Sequence, residues 1–378
     1  MEEMNKEICQ EALENEVVEA PSEAEEKQNI EELLENGDST DTDEPLDKNV
    51  RLMSPTRMVV RRFFRSKLSI VGLIMVVGLF IFCFLGPVIY NQWGETEYDA
   101  TVVVQPDTTT LKVVINGQEF EIKETVEAEI KYTSYAPISK DHLLGTDQTG
   151  YDIFSRLMYG GRISLIVSFL SVFVITILGV IAGGIAGYFG GKVDNVIMRI
   201  CDILMCLPGV PILLIIGLIL DNMTGVPVLG DPSARIYLLM LFLTFISWPG
   251  TARLVRGQIL SLREQEYMVA AEAMGYSAKR KIFKHLVPNV MPQLIVQMSL
   301  SLGSMILYEA SLSFLGLGVR APQAAWGTMI NILTLDPNVI TLHPLVWLPA
   351  GICIVIAVLG FNFVGDGLRD ALDPKARR

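Results

Sequence analysis

The segment LSIVGLIMVVGLFIFCFLGPVIY, residues 68–90, decides the class of fold. Its 23 residues include no charged side chain. Since a helix needs about 20 predominantly apolar residues to cross a bilayer, the segment predicts a membrane-spanning helix. It begins too deep in the chain and is too long for a cleaved signal peptide, and no small-residue cleavage site follows it. We therefore interpret it as a retained membrane anchor.

Five more segments have similar length and apolar character. The six predicted spans are residues 68–90, 163–189, 196–220, 236–252, 290–315 and 345–364. The composition agrees, because 51% of the 378 residues are hydrophobic, 19% are charged and the mean hydropathy is +0.41. Soluble domains are nearer a quarter charged. The predicted fold is an all-α membrane protein with six transmembrane helices.

Lysine and arginine residues beside the spans predict the orientation, because positively charged loops stay cytoplasmic. Six basic residues lie within 51–67, seven within 253–284 and four within 369–378. Both termini are therefore predicted to be cytoplasmic, with three loops outside. The resulting divisions are an acidic tail at 1–50, a basic segment with the first span at 51–90, an extracellular insert at 91–140, and a five-span core at 141–378.

The net charge of −12 is concentrated in the tail. Residues 1–50 hold 18 acidic residues and three lysines, a net charge of −15, so the other 328 residues carry +3. Dense like charge with few aromatic or β-branched residues predicts a disordered tail, with a partner-binding segment as the alternative. Nucleic-acid binding is disfavoured, because the tail repels phosphate and the basic residues of the body are dispersed between apolar runs.

The insert contains a predicted β-hairpin. Residues 110–123, TLKVVINGQEFEIK, alternate apolar and polar side chains around Asn116 and Gly117. That dipeptide favours a type I′ turn. Residues 126–132 are predicted to add a third strand. A docking surface and a passive decoration are both open interpretations of this small module.

The most informative segment is the loop at 264–289, EQEYMVAAEAMGYSAKRKIFKHLVPN. Its alanines favour a short helix, its glycine can end that helix in a left-handed conformation, and its serine can cap a second helix with an apolar stripe, before a proline marks entry to the fifth span. An ordinary interfacial hairpin is the other interpretation. The residues concerned are Ala270, Ala271, Gly275, Ser277, Ile282, Phe283, Leu286 and Pro288.

This loop resembles the EAA motif of ABC importer permeases. Four further blocks are similar to the peptide/nickel branch of that family, in particular to the second permease of dipeptide and oligopeptide importers. These blocks are HLLGTDQTGYDIFSRLMYGGRISLIV at 142–167, MRICDILMCLP at 198–208, SLSFLGLGVRAPQAAWGTMI at 311–330 and NFVGDGLRDALDP at 362–374. The blocks occur in order between the six predicted spans.

The resemblance implies a bacterial cytoplasmic-membrane subunit that imports oligopeptides or dipeptides. It implies that the loop at 264–288 docks on a cytoplasmic ATPase. The implied partners are a homologous second permease, two ATPase subunits that bind ATP and Mg, and an extracellular substrate-binding protein or lipoprotein. A nickel or other small-solute importer is the alternative within the family.

The chain departs from the family pattern in three places. Val269 stands where the EAA pattern has glutamate, and Glu272 stands where the family often has a basic residue. The acidic tail and the hairpin have no counterpart in the usual pattern. The first departure puts any charge contact of the EAA glutamate in doubt, whereas the docking prediction rests on the alanines, the glycine turn and the flanking helix.

Four residues within the spans are candidates for the translocation pathway. Pro208 and Pro211 should kink or break the third span and free backbone carbonyls. Asp202 lies three residues after Arg199, and an ion pair between them on one helix face is the structural alternative for that aspartate. Glu309 is predicted to face the polar cavity, near a peptide's amino terminus. The alternative interpretation is a helix-packing hydrogen bond.

Two further patterns are interpreted structurally. Gly179, Gly183 and Gly187 recur every four residues and predict close helix packing, with a gating role as the alternative. The apolar residues of 153–158 recur at helical spacing and predict a helix lying on the outer surface before the second span.

The sequence contains no motif for enzymatic chemistry. It has no GxxxxGK[ST] phosphate loop, its three histidines are scattered, and its five cysteines form no CxxC pair. We therefore predict that the chain is not an enzyme, holds no metal or cofactor, and has buried thiols rather than disulfides. Alternatives from other classes are a self-contained channel or a membrane-anchored scaffold that uses the acidic tail.

Overall fold

The computed structural model describes residues 55–103, 110–115, 118–123, 129–222 and 234–372. The predicted disordered tail at 1–50 and the Asn116–Gly117 turn lie outside the described residues. So do residues 126–128 of the predicted third strand and the basic residues beyond 372.

The described part of the chain is dominated by helices. The helices are α1 Pro55–Phe63, α2 Lys67–Ile89, α3 Ile153–Phe189, α4 Gly191–Cys206, α5 Gly209–Asn222, α6 Ala234–Arg263, α7 Glu266–Ala273, α8 Ala278–Leu317, α9 Trp326–Leu335, α10 Val339–Leu342 and α11 Pro344–Leu372. The strands are β1 Ala100–Val103, β2 Thr110–Ile115, β3 Gln118–Lys123 and β4 Glu129–Tyr132.

Five of these helices are long and apolar enough to cross a membrane: α2, α3, α6, α8 and α11. A sixth span results if α4 and α5 are counted together, since this pair is bent by 76°. The bend falls at Leu207, whose extended backbone (φ −74°, ψ 128°) is the conformation that a following proline imposes. Pro208 therefore breaks the third predicted span, as its sequence indicates.

The longest packing contact joins α3 to α6, and glycines make it close. A side chain at Gly183 would overlap the Ala252 carbonyl oxygen, and a Cβ at Gly179 would lie 2.6 Å from the Thr251 Cβ. At Gly187 it would lie 3.0 Å from the Arg256 carbonyl oxygen. These distances confirm the close packing that the four-residue glycine repeat predicts.

Two hydrophobic clusters divide the interior. The larger cluster joins α2, α3, α5, α6, α8, α9, α10 and α11. The smaller one lies at the end of the molecule where α3 ends, α6 ends and α8 begins, and we call this the loop end. The opposite end, where α2 ends and α3 begins, carries the strands, and we call it the hairpin end.

The strands form two separate two-stranded sheets. β2 pairs with β3 antiparallel, with Thr110 opposite Lys123 and Ile115 opposite Gln118, which confirms the predicted hairpin. β4 pairs with β1, with Ala100 opposite Tyr132, and does not extend the hairpin. A strand is present at 129–132, within the predicted 126–132, but it pairs with β1 in place of the hairpin.

The helix predicted to lie on the surface at 153–158 is the first part of α3. Ile153, Leu157 and Met158 are buried inside the chain, and the helix continues without a break into the span. Asp152 caps it by accepting from the Ser155 N–H at 2.8 Å, and its other oxygen lies 3.0 Å from Nδ1 of His142. That prediction failed because the apolar face packs on the bundle instead of a membrane surface.

Candidate functional site

The loop between α6 and α8 is built around a tight helix end. At the end of α7, the N–H group of Gly275 donates to the Glu272 carbonyl at 2.8 Å, and that of Tyr276 donates to the Ala271 carbonyl at 3.1 Å. Gly275 has φ +70°, which a residue with a side chain adopts only with strain. This paired bonding is the usual glycine-terminated helix end, as the sequence predicts.

Ser277 begins the next helix, also as predicted. Its hydroxyl accepts from the Arg280 N–H at 3.5 Å. The helix then runs directly into the fifth span without a boundary at Pro288, so the predicted separate amphipathic helix is instead the first part of α8. A wider turn at Lys281–Leu286, in which the Val287 N–H bonds to Ile282 O, accommodates the proline, which has no N–H to donate.

The loop is attached to the bundle through the smaller hydrophobic cluster. Met268 and Ala271 of α7 are buried, as are Ile282 and Leu286 of α8. Met268, Ile282 and Leu286 pack with Val255 and Ile259 of α6 and with Val290 and Leu294 further along α8. The two helices that flank the loop therefore hold it from both sides.

The opposite face of α7 is exposed and apolar. We define the exposed apolar face as Val269, Ala270, Ala273 and Met274, which lie away from the buried pair Met268 and Ala271 around the helix. Val269 is 64% exposed and Met274 61% exposed. Phe283 of α8 is also 54% exposed, so the predicted apolar stripe is split: Ile282 and Leu286 point inward and Phe283 outward.

Charged groups join the arms of the loop. Lys281 is buried, its Nζ lies 3.7 Å from Oε2 of Glu272, and it faces the Tyr188 ring at 5.4 Å. Arg263 donates to the Tyr188 carbonyl oxygen at 2.8 Å, which satisfies a terminal carbonyl of α3. Glu272, which with Val269 makes up the first departure from the family pattern, therefore has a partner within the loop.

Two ion pairs connect α6 to α4 near the loop. Arg256 forms a two-pronged pair with Asp194, with Nε to Oδ1 and the terminal nitrogen to Oδ2 both at 2.5 Å. Arg253 pairs with Asp202 at 2.5 Å. The predicted pairing of Asp202 with Arg199 was wrong. Arg253, on the neighbouring helix α6, pairs with Asp202 instead.

Glu309 has no exposed surface. Its Oε1 accepts from the Ser313 hydroxyl at 2.7 Å, and the Ser164 hydroxyl of α3 also faces its carboxyl group. Ser164 in turn accepts from the Trp326 N–H at 3.3 Å. The hydrogen bond to Ser313 lies within α8, and the second carboxyl oxygen, Oε2, is buried without a hydrogen-bond partner among the described residues.

The other pathway candidates lie on the surface of the single chain. Pro208, Pro211 and Asp202 are exposed. They lie on α4, on α5 and at the break between them. Within the part of the chain that the structure describes, no cluster of three or more His, Cys, Asp or Glu residues is placed to hold a metal ion.

Sequence reasoning missed the residues that attach α4 to α6. The basic residues Arg253 and Arg256 were counted as part of a loop, but α6 continues to Arg263 and places them on a helix. The acidic partners lie 51 and 62 residues earlier in the chain. The available signal was the presence of two aspartates on one predicted helix and two arginines on the next. That signal does not predict ion pairs unless it is known which helix faces meet.

Comparisons with known proteins identify similar chains. A family profile described as the binding-protein-dependent transport system inner membrane component matches residues 175–378. A second profile, described as the N-terminal TM domain of oligopeptide transport permease C, matches residues 54–103. The two matches cover α1, α2, β1 and the described residues from within α3 to the end of α11.

Curated relatives align over most of the chain. The oligopeptide transport system permease protein OppC of Bacillus subtilis (strain 168) is 36% identical over 318 residues, covering 84% of this chain and 88% of the relative. The dipeptide transport system permease protein DppC of the same organism is 36% identical over 326 residues, covering 86% and 88%. A putative peptide permease protein of Brucella suis biovar 1 is 40% identical over 235 residues, covering 62% and 74%.

Proposed function

Because the chain belongs to the family of binding-protein-dependent transport system inner membrane components, we propose that it is the permease subunit of an ATP-driven bacterial importer of oligopeptides or dipeptides. The fold of a multi-pass membrane protein and the peptide permeases among its relatives support this proposal. A homologous second permease, two cytoplasmic ATPases and an extracellular substrate-binding protein would complete the importer. ATP and Mg would be bound by the ATPases.

The single observation that carries the proposal is the construction of the loop. The exposed apolar face projects from a segment that is fixed to α6 and α8 by its own hydrophobic cluster. Exposed apolar side chains grouped on one helix face are typical of protein interaction sites. A rigid attachment lets such a site transmit a push from a docked partner to the two spans.

In the proposed mechanism, nucleotide binding closes the ATPase pair and moves the loop. Because α6 and α3 are in close glycine-mediated contact, displacement of the loop moves both spans together. The permease then alternates between outward and inward openings, a two-state change that nucleotide and the docked binding protein both bias. Both termini and the loop would face the cytoplasm.

The translocation pathway is proposed to pass Pro208, Pro211 and Asp202. Their exposure on the single chain leaves them available to a cavity shared with the second permease. Glu309 is buried in this conformation, so a role in the pathway requires the opening movement to expose it. We expect Glu309→Gln to change uptake kinetics for at least some peptides; unchanged kinetics for every peptide tested would remove Glu309 from the pathway.

The docking proposal is tested by co-purification of the ATPases with the full complex. We expect the double variant V269S/M274S to lower ATPase recovery by about tenfold or more, since loss of about 1.4 kcal/mol of binding free energy is a tenfold loss of affinity. Both side chains are exposed, so the chain itself should remain folded. The matched control is Ile138→Ser, which replaces an equally exposed apolar residue (61%) at the hairpin end.

A second arm of this experiment examines the acidic tail. A chain that lacks residues 1–50 should recover the ATPases at the wild-type level. Full ATPase recovery with V269S/M274S, or loss of recovery only on tail removal, would reject the loop as the docking site. Uptake of labelled dipeptides, oligopeptides and nickel by the reconstituted importer would then define its substrate class.

A further inference from the structure

The attachment of α4 to the rest of the chain depends on few side chains. Of its residues Gly191–Cys206, only Asp194 and Cys201 are buried. Most of its apolar side chains face outward, including Ile203 at 64% exposed. An element with so little buried apolar surface has low local stability, so its specific polar contacts matter for its position.

Those contacts come from the half of α6 that leads into the loop. The side chain of Asp194 is 11% exposed and that of Arg256 34% exposed, and both carboxylate oxygens are engaged by the guanidinium group. Such a two-pronged pair fixes orientation as well as distance. The second pair, Arg253 with Asp202, is more open, at 41% and 49% exposed, and has one short contact.

The two helices connected in this way have different mechanical roles. α6 runs unbroken into the loop, and its last residue, Arg263, is bonded to the end of α3. α4 leads to the break at Pro208, beyond which α5 departs at 76°. A displacement of the loop end of α6 therefore reaches α4 through the ion pairs, whereas α5 also contacts α6 directly.

We propose that the Asp194–Arg256 pair is the mechanical connection that carries loop movement from α6 to the bent α4–α5 segment. The inference rests on the proposed function, because it assumes that the loop is moved by an ATPase. Asp194 and Arg256 are positioning residues, which act on the pathway through α4 and do not contact the substrate. The Arg253–Asp202 pair supports the same alignment with a more exposed, weaker contact.

The test uses the complete importer reconstituted in liposomes, with ATP hydrolysis and peptide uptake measured on the same samples. Asp194→Asn and Arg256→Gln each leave one charge without its partner. The double variant D194N/R256Q removes both charges, which leaves no unpaired ion and keeps the chain folded. We expect the double variant to hydrolyse ATP at close to the wild-type rate, with uptake per ATP lowered by about tenfold, within the usual range for coupling between sites.

Restoration of the pair separates a connection from a general structural role. The exchanged variant D194R/R256D rebuilds an ion pair at the same place, and we expect it to recover most of the uptake per ATP. The matched control is Arg199→Gln, which removes an exposed charge from the same helix and should leave uptake per ATP at the wild-type level.

The outcomes distinguish this inference from the proposed function. Wild-type uptake per ATP in D194N/R256Q, or a parallel fall of hydrolysis and uptake that the exchanged variant does not reverse, would overturn the connection while the wild-type complex still transports peptide. If the wild-type chain neither binds the ATPases nor supports uptake, the proposed function itself fails.

Discussion

At the scale of single residues, Gly183 decides how closely α3 and α6 approach. A side chain there would overlap the Ala252 carbonyl oxygen and lie 2.9 Å from the Val255 Cβ. A backbone carbonyl cannot move aside without bending α6. We therefore expect Gly183→Ala to lower the free energy of unfolding by about 1–3 kcal/mol, the usual cost of overfilling a packed interior. Thermal unfolding of the purified protein in detergent measures this change.

Gly257, on α6, provides the control for this prediction. A Cβ added at Gly257 meets nothing within 4 Å. Alanine also favours a helix over glycine by about 0.5–1 kcal/mol, so Gly257→Ala should leave stability unchanged or raise it. Equal destabilisation by the two substitutions would contradict the role of close packing at Gly183.

Glu95, in the segment after α2, gives a pH dependence. Burial raises the pKa of its carboxyl group above the ordinary value of 4.5, although Arg162 and Arg156 act to lower it. Its Oε1 is buried without a hydrogen-bond partner among the described residues. A raised folded-state pKa means that the folded protein holds this proton more firmly than the unfolded chain, so stability from Glu95 is lost as pH rises above about 4.5.

Glu95→Gln removes this titration while keeping the shape of the side chain. We expect the variant to gain stability relative to the wild type as pH increases from 4 to 7, measured by thermal unfolding at each pH. At the acid end of this range the two proteins should differ little, because the wild-type carboxyl group is then protonated and neutral. A difference that is constant with pH would show that Glu95 does not titrate in this way.

At the scale of elements, the loop is a unit with its own core. Leu286 is fully buried in the smaller cluster, and Phe283, three residues earlier in α8, is exposed. We expect Leu286→Ala to cost about 2–5 kcal/mol locally and to speed hydrogen exchange in residues 266–290. The exchange of α11, which belongs to the larger cluster, should change little.

Phe283→Ala is the control for this element. Its exposed ring contributes little to folding, so exchange in residues 266–290 should stay at the wild-type rate. Faster exchange of α11 in Leu286→Ala to the same degree as in the loop would show that the two clusters unfold together and that the loop is not a separate unit.

The sequence predicts these elements well where the signal is local. Apolar length alone identifies the five long helices and the bent α4–α5 pair, and the Gly275 end, the Ser277 cap and the hairpin register follow from short motifs. The errors occur where distant residues decide. Asp202 pairs with Arg253, 51 residues away, and β4 pairs with β1 in place of the hairpin, both of which depend on how the chain is arranged in space.

At the scale of the whole molecule, the distribution of charge predicts the orientation in the membrane. The basic residues flank the loop end, whereas the acidic residues outnumber the basic ones within 91–162. Because positively charged segments stay cytoplasmic, the loop end should face the cytoplasm and the hairpin end the outside. The exposed residues Lys131, in β4, and Lys279, in α8, mark the two ends.

We expect Lys131→Cys to react with a membrane-impermeant maleimide in intact cells, and Lys279→Cys to react only after the membrane is made permeable. Cys9 and Cys206 are first replaced by serine. Cys83, Cys201 and Cys353 are kept, because they are buried and should not react. The protein with these two replacements alone is the control for background labelling. Labelling of Lys279→Cys in intact cells would reverse the orientation and place the exposed apolar face where no cytoplasmic ATPase can reach it, so this experiment decides between the proposed importer and any function exerted from outside.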